Sequence, residues 1–341
     1  MLQKTSAPHV SAPGGISRVM LWVAAALVPG VLGQLWWFGP GVLIQLAWCV
    51  LIALAAEALA LRLRGQPVEV GLGDCSVLIC ALLLGLTLPG HAPWYVGLTA
   101  TLSAVLLGKH VYGGLGHNPF NPAMIGYVVA LIGFPIEMTR WTHPDAAVPL
   151  AEVWAAFSGA LLPDQWTAAT ALEVFKLERG GMYEAEFKAS RDIFGLFGGR
   201  GVEWVNALFL AGGLLLLLRG IITWHGPLGL LGALGLCALI GWDGGSSEGH
   251  GSALLHWFSG ATMLGAWFIL TDPVSTSATP WGRFVCGALA GVVTYCIRVW
   301  GTYPDAIAFG VLLSNFAAPL IDYYLRPRVY GHGRGAGRAD E

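Results

Sequence analysis

Charge is scarce in this sequence: Asp, Glu, Lys and Arg together make up 11% of its 341 residues. A soluble domain carries about 25%, so the chain lacks the polar surface that would cover a globule in water. Neither sign prevails. With 18 Lys and Arg against 20 Asp and Glu, the net charge is −2, which leaves no basic footprint for nucleic acid. Cysteine is also sparse and wrongly spaced for metal. The 6 cysteines (Cys49, Cys75, Cys80, Cys237, Cys286 and Cys296) lie in apolar runs without a CxxC pair. Neither a zinc nor an iron–sulfur site is expected from this chain alone, and burial between helices is the better account of them. The 9 histidines form no cluster at ligand spacing, so a haem or metal site is not expected either.

Apolar residues make up 55% of the chain, with 15 Trp and 48 Gly, and the mean hydropathy is +0.65. Trp favours membrane interfaces and Gly is frequent in membrane helices. A helix needs about 20 apolar residues to cross the hydrocarbon layer. Candidate crossings are Val19 to Phe38, Val42 to Leu61, Cys75 to Leu88, Trp94 to Gly108 and Pro122 to Phe134. A second set follows at Val205 to Leu218, Leu228 to Trp242, Leu254 to Leu270, Phe284 to Trp300 and Ala306 to Tyr324. The expected fold is an all-α polytopic membrane protein with about ten transmembrane helices in two groups of five. Several candidates are short and interrupted by Gly and Pro, as in broken or re-entrant helices that line protein-buried cavities.

Lys and Arg in short loops set the expected orientation. Lys4, Arg18, Arg62, Arg64, Lys109, Arg219, Arg283 and the arginines after Tyr324 fall on one side, and only Arg298 departs from the pattern. Both termini are therefore expected in the cytoplasm, with Met1 to Gly15 a polar tail and not a cleavable signal peptide. The chain divides into an N-terminal tail (1–17), a first helix group (18–136), a periplasmic loop (137–202), a second helix group (203–325) and a C-terminal tail (326–341). The helix opened by Ala92-Pro93-Trp94 and ending at Lys109-His110-Val111-Tyr112-Gly113 has a counterpart running from Thr279-Pro280-Trp281 to Arg298-Val299-Trp300-Gly301. Five crossings per half would place such copies in opposite orientation, making two inverted five-helix repeats.

Two motifs stand out from the apolar background. Gly113-Gly114-Leu115-Gly116-His117-Asn118-Pro119-Phe120-Asn121-Pro122-Ala123 forces turns and presents the amides of Asn118 and Asn121; a tight interhelical turn and a ligand-lining loop are equally compatible with it. Asp164-Gln165-Trp166-Thr167-Ala168-Ala169-Thr170-Ala171-Leu172, in the polar loop, reads by itself as a capped helix start, since Glu173 follows Thr170 by three. Glu57 sits in mid-segment, where a carboxylate is a functional hypothesis by default, here one of ion coupling.

Long strings in this order resemble the D-subunit family of the Rnf (or Rsx) electron-transport complexes, which is related to the B subunit of the sodium-pumping NADH:quinone reductase. They are the Gly113 to Tyr127 block, Ser259 to Ala266, Thr271-Asp272-Pro273-Val274, Tyr303-Pro304-Asp305 and Pro319 to Tyr324 with Arg326 to Gly331. The resemblance implies FMN joined through its phosphate to a Thr hydroxyl in a D-x-x-[ST]-x-A-T motif. Asp164, Thr167, Ala169 and Thr170 match that motif, making Thr170 the attachment residue. A flavin transferase would donate FMN from FAD, which requires an exposed polar loop. Thr262, within a literal Ser-Gly-Ala-Thr string, competes, but is expected inside an apolar helix from His256 to Leu270 that a soluble transferase cannot enter.

The resemblance further implies a bacterial inner-membrane subunit working with A-, B-, C-, E- and G-type partners. Electrons would pass between reduced ferredoxin and NAD through the FMN, coupled to Na⁺ or H⁺ movement. Non-covalent riboflavin between the helices is implied too, and in one branch the complex keeps a redox-sensing transcription factor reduced. The competing expectation, from the residues alone, is a passive inverted-repeat channel or transporter without flavin.

Overall fold

The computed structural model describes residues 15–160, 163–303 and 305–325. Almost all of the expected N-terminal tail and the whole C-terminal tail, with its arginines, lie outside the described residues, as does Pro304. The first half holds α1 (Gly15–Phe38), α2 (Gly41–Leu63), α3 (Ser76–Thr87), α4 and α5 (Pro122–Gly133). Helix α4 is α-helical over Trp94–Leu102 and widens to a π-helix over Ser103–His110. The polar segment contributes α6 (Leu150–Phe157), α7 (Ala171–Glu178) and a two-stranded ribbon of β1 (Trp141–Thr142) and β2 (Thr167–Ala168). The second half holds α8 (Val202–Leu218), α9 (His225–Gly241), α10 (interrupted, within 253–269), α11 (Pro280–Trp300) and α12 (Ile307–Tyr324).

Helices α1, α2, α11 and α12 are long and apolar enough to cross a membrane, and α3, α5, α8 and α9 are shorter apolar helices. Leu32, Leu51, Leu59, Leu236, Leu239 and Phe316 point outward from them and are exposed. Such a surface is stable in lipid and not in water. This is the build of a polytopic membrane protein.

Two of these helices start where the sequence can satisfy free N–H groups. Asn121 caps α5, its Oδ1 accepting from Ala123 (3.0 Å) and Met124 (3.3 Å), and Thr279 caps α11 through Gly282 N–H (3.0 Å). Both caps are followed by Pro at the first helical position, where a missing N–H costs nothing. Packing then follows the small residues. A Cβ on Gly287 or Gly291 of α11 would overlap the carbonyls of Gly226 and Leu230 on α9. The two backbones meet directly along that seam, as small residues allow in lipid.

Matched in order, the two halves share one contact pattern. In the first, α2 packs on α3 and α4, and α4 on α5; in the second, α9 packs on α10 and α11, and α11 on α12. Between halves, α1 meets α8 and α5 meets α12.

One expected segment is not a single helix. Within Leu254 to Leu270, α10 runs over Ala253–Trp257, breaks, and resumes at Thr262–Leu264 and as a π-helix over Gly265–Ile269. Thr262 thus opens the second piece instead of lying inside one helix. The cause is local. Gly260 takes a left-handed φ of +61° against the Asp305 carboxylate, and the freed carbonyl of His256 accepts from Arg298 Nη1 (2.7 Å) and Thr262 Oγ1 (2.8 Å).

Candidate functional site

Between the two halves lies a cavity that opens to the outside. Its walls are mostly apolar: Phe38 of α1, Leu86 of α3, Met124 and Leu131 of α5, Phe209 of α8 and Ile307 of α12. Both halves contribute, because the cavity occupies the gap where they meet. The polar segment roofs it. Met138, Trp141, Thr142 and the run Ala168 to Leu172 close one side, held by the ribbon in which Trp141 pairs with Ala168 and Thr142 with Thr167.

Thr170 stands at this roof, half-buried, as the cap of α7. Its Oγ1 accepts from Glu173 N–H at 3.3 Å, so the capped helix start legible in the sequence is formed. The hydroxyl therefore sits at a helix N-terminus, where unpaired N–H groups and the dipole favour an anion. Arg200 lines the same cavity and pairs with Asp145 at 2.6 Å, both about half exposed. Burial pushes Glu173 above the ordinary carboxylate range, with a hydrogen bond from Thr170 N–H acting the other way. Near the roof, burial and then Arg140 lower His91 to about 4, so its ring is neutral at pH 7 and contacts Thr142 Oγ1 at 3.2 Å.

A flavin phosphate fits these residues. The Thr170 hydroxyl offers an ester oxygen, the α7 N-terminus and Arg200 offer positive potential, and the apolar walls suit a planar ring. Thr262 offers none of this. It is fully buried, its Oγ1 donates to backbone carbonyls, and it accepts from Arg298 Nη2 (2.9 Å).

Of the other motif residues, Asp164 is exposed in a 3₁₀ turn (Asp164–Trp166) and Thr167 lies in β2; neither lines the cavity. Asn118 is buried and donates to Phe120 O (3.1 Å) within its own turn, where Gly113, Gly114 and Gly116 all take left-handed φ. Asn121 lies one layer beneath the cavity. Its Nδ2 donates to Ile269 O (3.1 Å) and its N–H to Asn315 Oδ1 (3.0 Å). Glu57 is far from a free carboxylate. It is buried and holds Lys109 Nζ (2.7 Å) and His110 Nε2 (2.9 Å), with Ser76 Oγ also on Lys109 (3.1 Å).

Sequence reasoning missed Arg200 and Asn206 and gave Asp305 no role in a site, yet all three line the cavity. Asp305 binds Ala261 N–H (2.7 Å) and Arg298 Nη2 (2.9 Å), and Asn206 ties Gly260 O (2.9 Å) to Met263 N–H (2.9 Å). The roles of Asn206 and Asp305 depend on the break in α10, which no local pattern announces.

Comparison with known proteins covers nearly the whole chain. The sequence model of the NQR2, RnfD, RnfE family matches residues 3–331. A Pseudomonas aeruginosa (strain UCBPP-PA14) protein, named as the D subunit of an ion-translocating oxidoreductase complex, is 53% identical over 332 residues, covering 97% of this chain and 96% of its own. Proteins of the same name from Yersinia pestis and Cellvibrio japonicus are 45% and 44% identical, covering 98% and 97% of this chain and 99% and 95% of their own.

Proposed function

The chain belongs to the NQR2, RnfD, RnfE family, and from that premise we propose that this membrane subunit of an Rnf-type complex carries electrons through FMN esterified to Thr170. The observation that carries the reading is the placement of Thr170 as the cap of a helix roofing the apolar cavity between the halves. FMN, once bound, supplies the electron-transfer chemistry, and the protein supplies position and electrostatics. Thr170 fixes the phosphate end, the α7 N-terminus and Arg200 balance its charge, and Phe209, Met124 and Leu131 keep water from the ring. A Thr hydroxyl is a weak nucleophile without a base, so a flavin transferase performs the attachment.

The shared contact pattern of the halves supports two inverted five-helix repeats with about ten crossings. The basic residues of the short loops then put both termini in the cytoplasm and the roof of the cavity in the periplasm. Partners of A, B, C, E and G type hold the remaining centres between ferredoxin and NAD, and the complex moves Na⁺ or H⁺. Ion movement through Glu57 requires its pair with Lys109 to open during the cycle.

The test is in-gel flavin fluorescence after denaturation, on protein expressed with a flavin transferase. Wild type and Thr262→Val fluoresce and Thr170→Ala is dark. Fluorescence that survives in Thr170→Ala removes the attachment residue, and a dark wild type favours the flavin-free channel.

A further inference from the structure

A second concavity, about 730 Å³ with its open mouth, lies along α7 away from the roof. Phe175, Lys176 and Arg179 line it from α7 and its C-terminal end, facing His250, His256 and Arg298. Lys176 and Arg179 are three residues apart and so share a helix face. No carboxylate pairs with either among the described residues. Lys176 Nζ donates only to the carbonyls of Gly301 and Ile297 at the end of α11. Arg179 donates to those of Met182 (2.9 Å) and Gly249. The nearby Glu184 is already taken by Lys188 (2.6 Å) and Ser252 (2.8 Å), and Arg298 is balanced by Asp305 (2.9 Å). Glu248 reaches the rim but is exposed.

Two donors in these walls have no acceptor among the described residues: Arg179 Nη2 and Arg298 Nε. Both side chains are more than nine-tenths buried, at 7% and 4% exposure. A buried cation with an idle N–H is costly unless something anionic satisfies it. Burial holds Lys176 and Arg179 below their ordinary values, with Glu184 acting the other way on Arg179. His256 donates Nε2–H to His250 O (3.0 Å), which leaves Nδ1 as a bare acceptor at the same wall. Cations plus one acceptor suit a tetrahedral oxyanion that also bears a hydroxyl.

We propose that this concavity binds a phosphate-class oxyanion, held by Arg179 and Lys176. The chemistry admits two sources. Trp300 beside it is exposed, its ring 5.9 Å from that of His250, and exposed Trp marks membrane interfaces, the depth of a phospholipid headgroup; free phosphate offers the same oxygens. The site stands apart from the flavin reading, since Thr170 lines the other cavity.

Full-length protein in a zwitterionic detergent is titrated with inorganic phosphate against chloride at constant ionic strength, and thermal unfolding is followed. Protein reconstituted in phosphatidylcholine with or without phosphatidylglycerol is then examined by native mass spectrometry for retained lipid. The expected result is saturable stabilisation by phosphate, or one phosphatidylglycerol retained per chain. Either is weakened about tenfold in Arg179→Gln and in Lys176→Met, the loss of one charge-assisted bond. Arg191→Gln, which removes the exposed pair with Glu178 and the contact with the Phe187 ring but nothing in the concavity, binds as wild type. A phosphate response alone identifies the free anion, and lipid retention alone identifies a headgroup. If neither ligand binds, or if both variants with wild-type unfolding temperatures bind unchanged, the site does not exist.

Discussion

Lys109, His110 and Ser76 gather around Glu57 inside the protein, and that company decides what each side chain is worth. A buried ion pair contributes little net stability, yet removing one partner strands the other. Lys109→Met should therefore cost about 3–5 kcal/mol, while the double variant Glu57→Gln/Lys109→Met recovers most of that loss. Denaturant titration of all four forms gives the coupling, and simple additivity of the two changes would discount the pair. The sequence announced Glu57 as unusual because a carboxylate interrupted an apolar run. It hid the two partners, Lys109 and His110, which lie 52 and 53 positions away in the chain and reach Glu57 only through the packing of α2 on α4. Thr170 was legible for the opposite reason: Asp164 to Thr170 is a local motif and its capping role needs only Glu173. Arg200, which lines the same cavity as Thr170, comes from a turn about 30 positions on and carried no signal of its own.

Helix α7 shows how an element converts burial into pH dependence. Glu173 has its carboxyl raised above the ordinary 4.5, first by burial. A raised folded value means the folded segment binds the proton more tightly than the unfolded one. The stabilising contribution is thus complete below pH 4.5 and is lost as pH rises through the raised value. Hydrogen exchange over residues 171–178, corrected for intrinsic rates, should show greater protection at about pH 5 than at about pH 7, and Glu173→Gln should flatten the difference. Helix pair α9/α11 depends on a different property, the absence of side chains. Gly287→Leu should force the backbones apart at a cost of about 3 kcal/mol, seen as a lower unfolding midpoint, whereas Gly232→Leu, with open space where its Cβ would stand, should change little. The lengths of α1, α2, α11 and α12 follow from hydropathy, and their existence was readable directly. The break in α10 was not, because its cause is a distant Arg298–Asp305 pair that competes for the helix's own carbonyls.

At the scale of the molecule, the halves touch through α1 with α8 and α5 with α12, and the cavity lies along their common boundary. The hydropathy showed apolar segments on either side of a polar one, and the cavity was not legible there, since voids leave no trace in composition. Across the boundary, Asn121 gives its N–H to Asn315 Oδ1 (3.0 Å), and Asn315 Nδ2 donates to Ser275 O (2.9 Å). Asn315→Leu deletes both bonds and strands buried partners, so stability should fall by about 1–3 kcal/mol, with flavin content unchanged if the cavity walls hold. A retained midpoint would make these amides dispensable. Their position matters also for biogenesis. A ribosome delivers the first half to the bilayer long before Asn315 exists, so the bond that Asn121 N–H makes across the boundary is absent at first. The Asn121–Asn315 contact therefore closes only after the second half has been made, so the seam between the halves is among the last parts of the molecule to be completed.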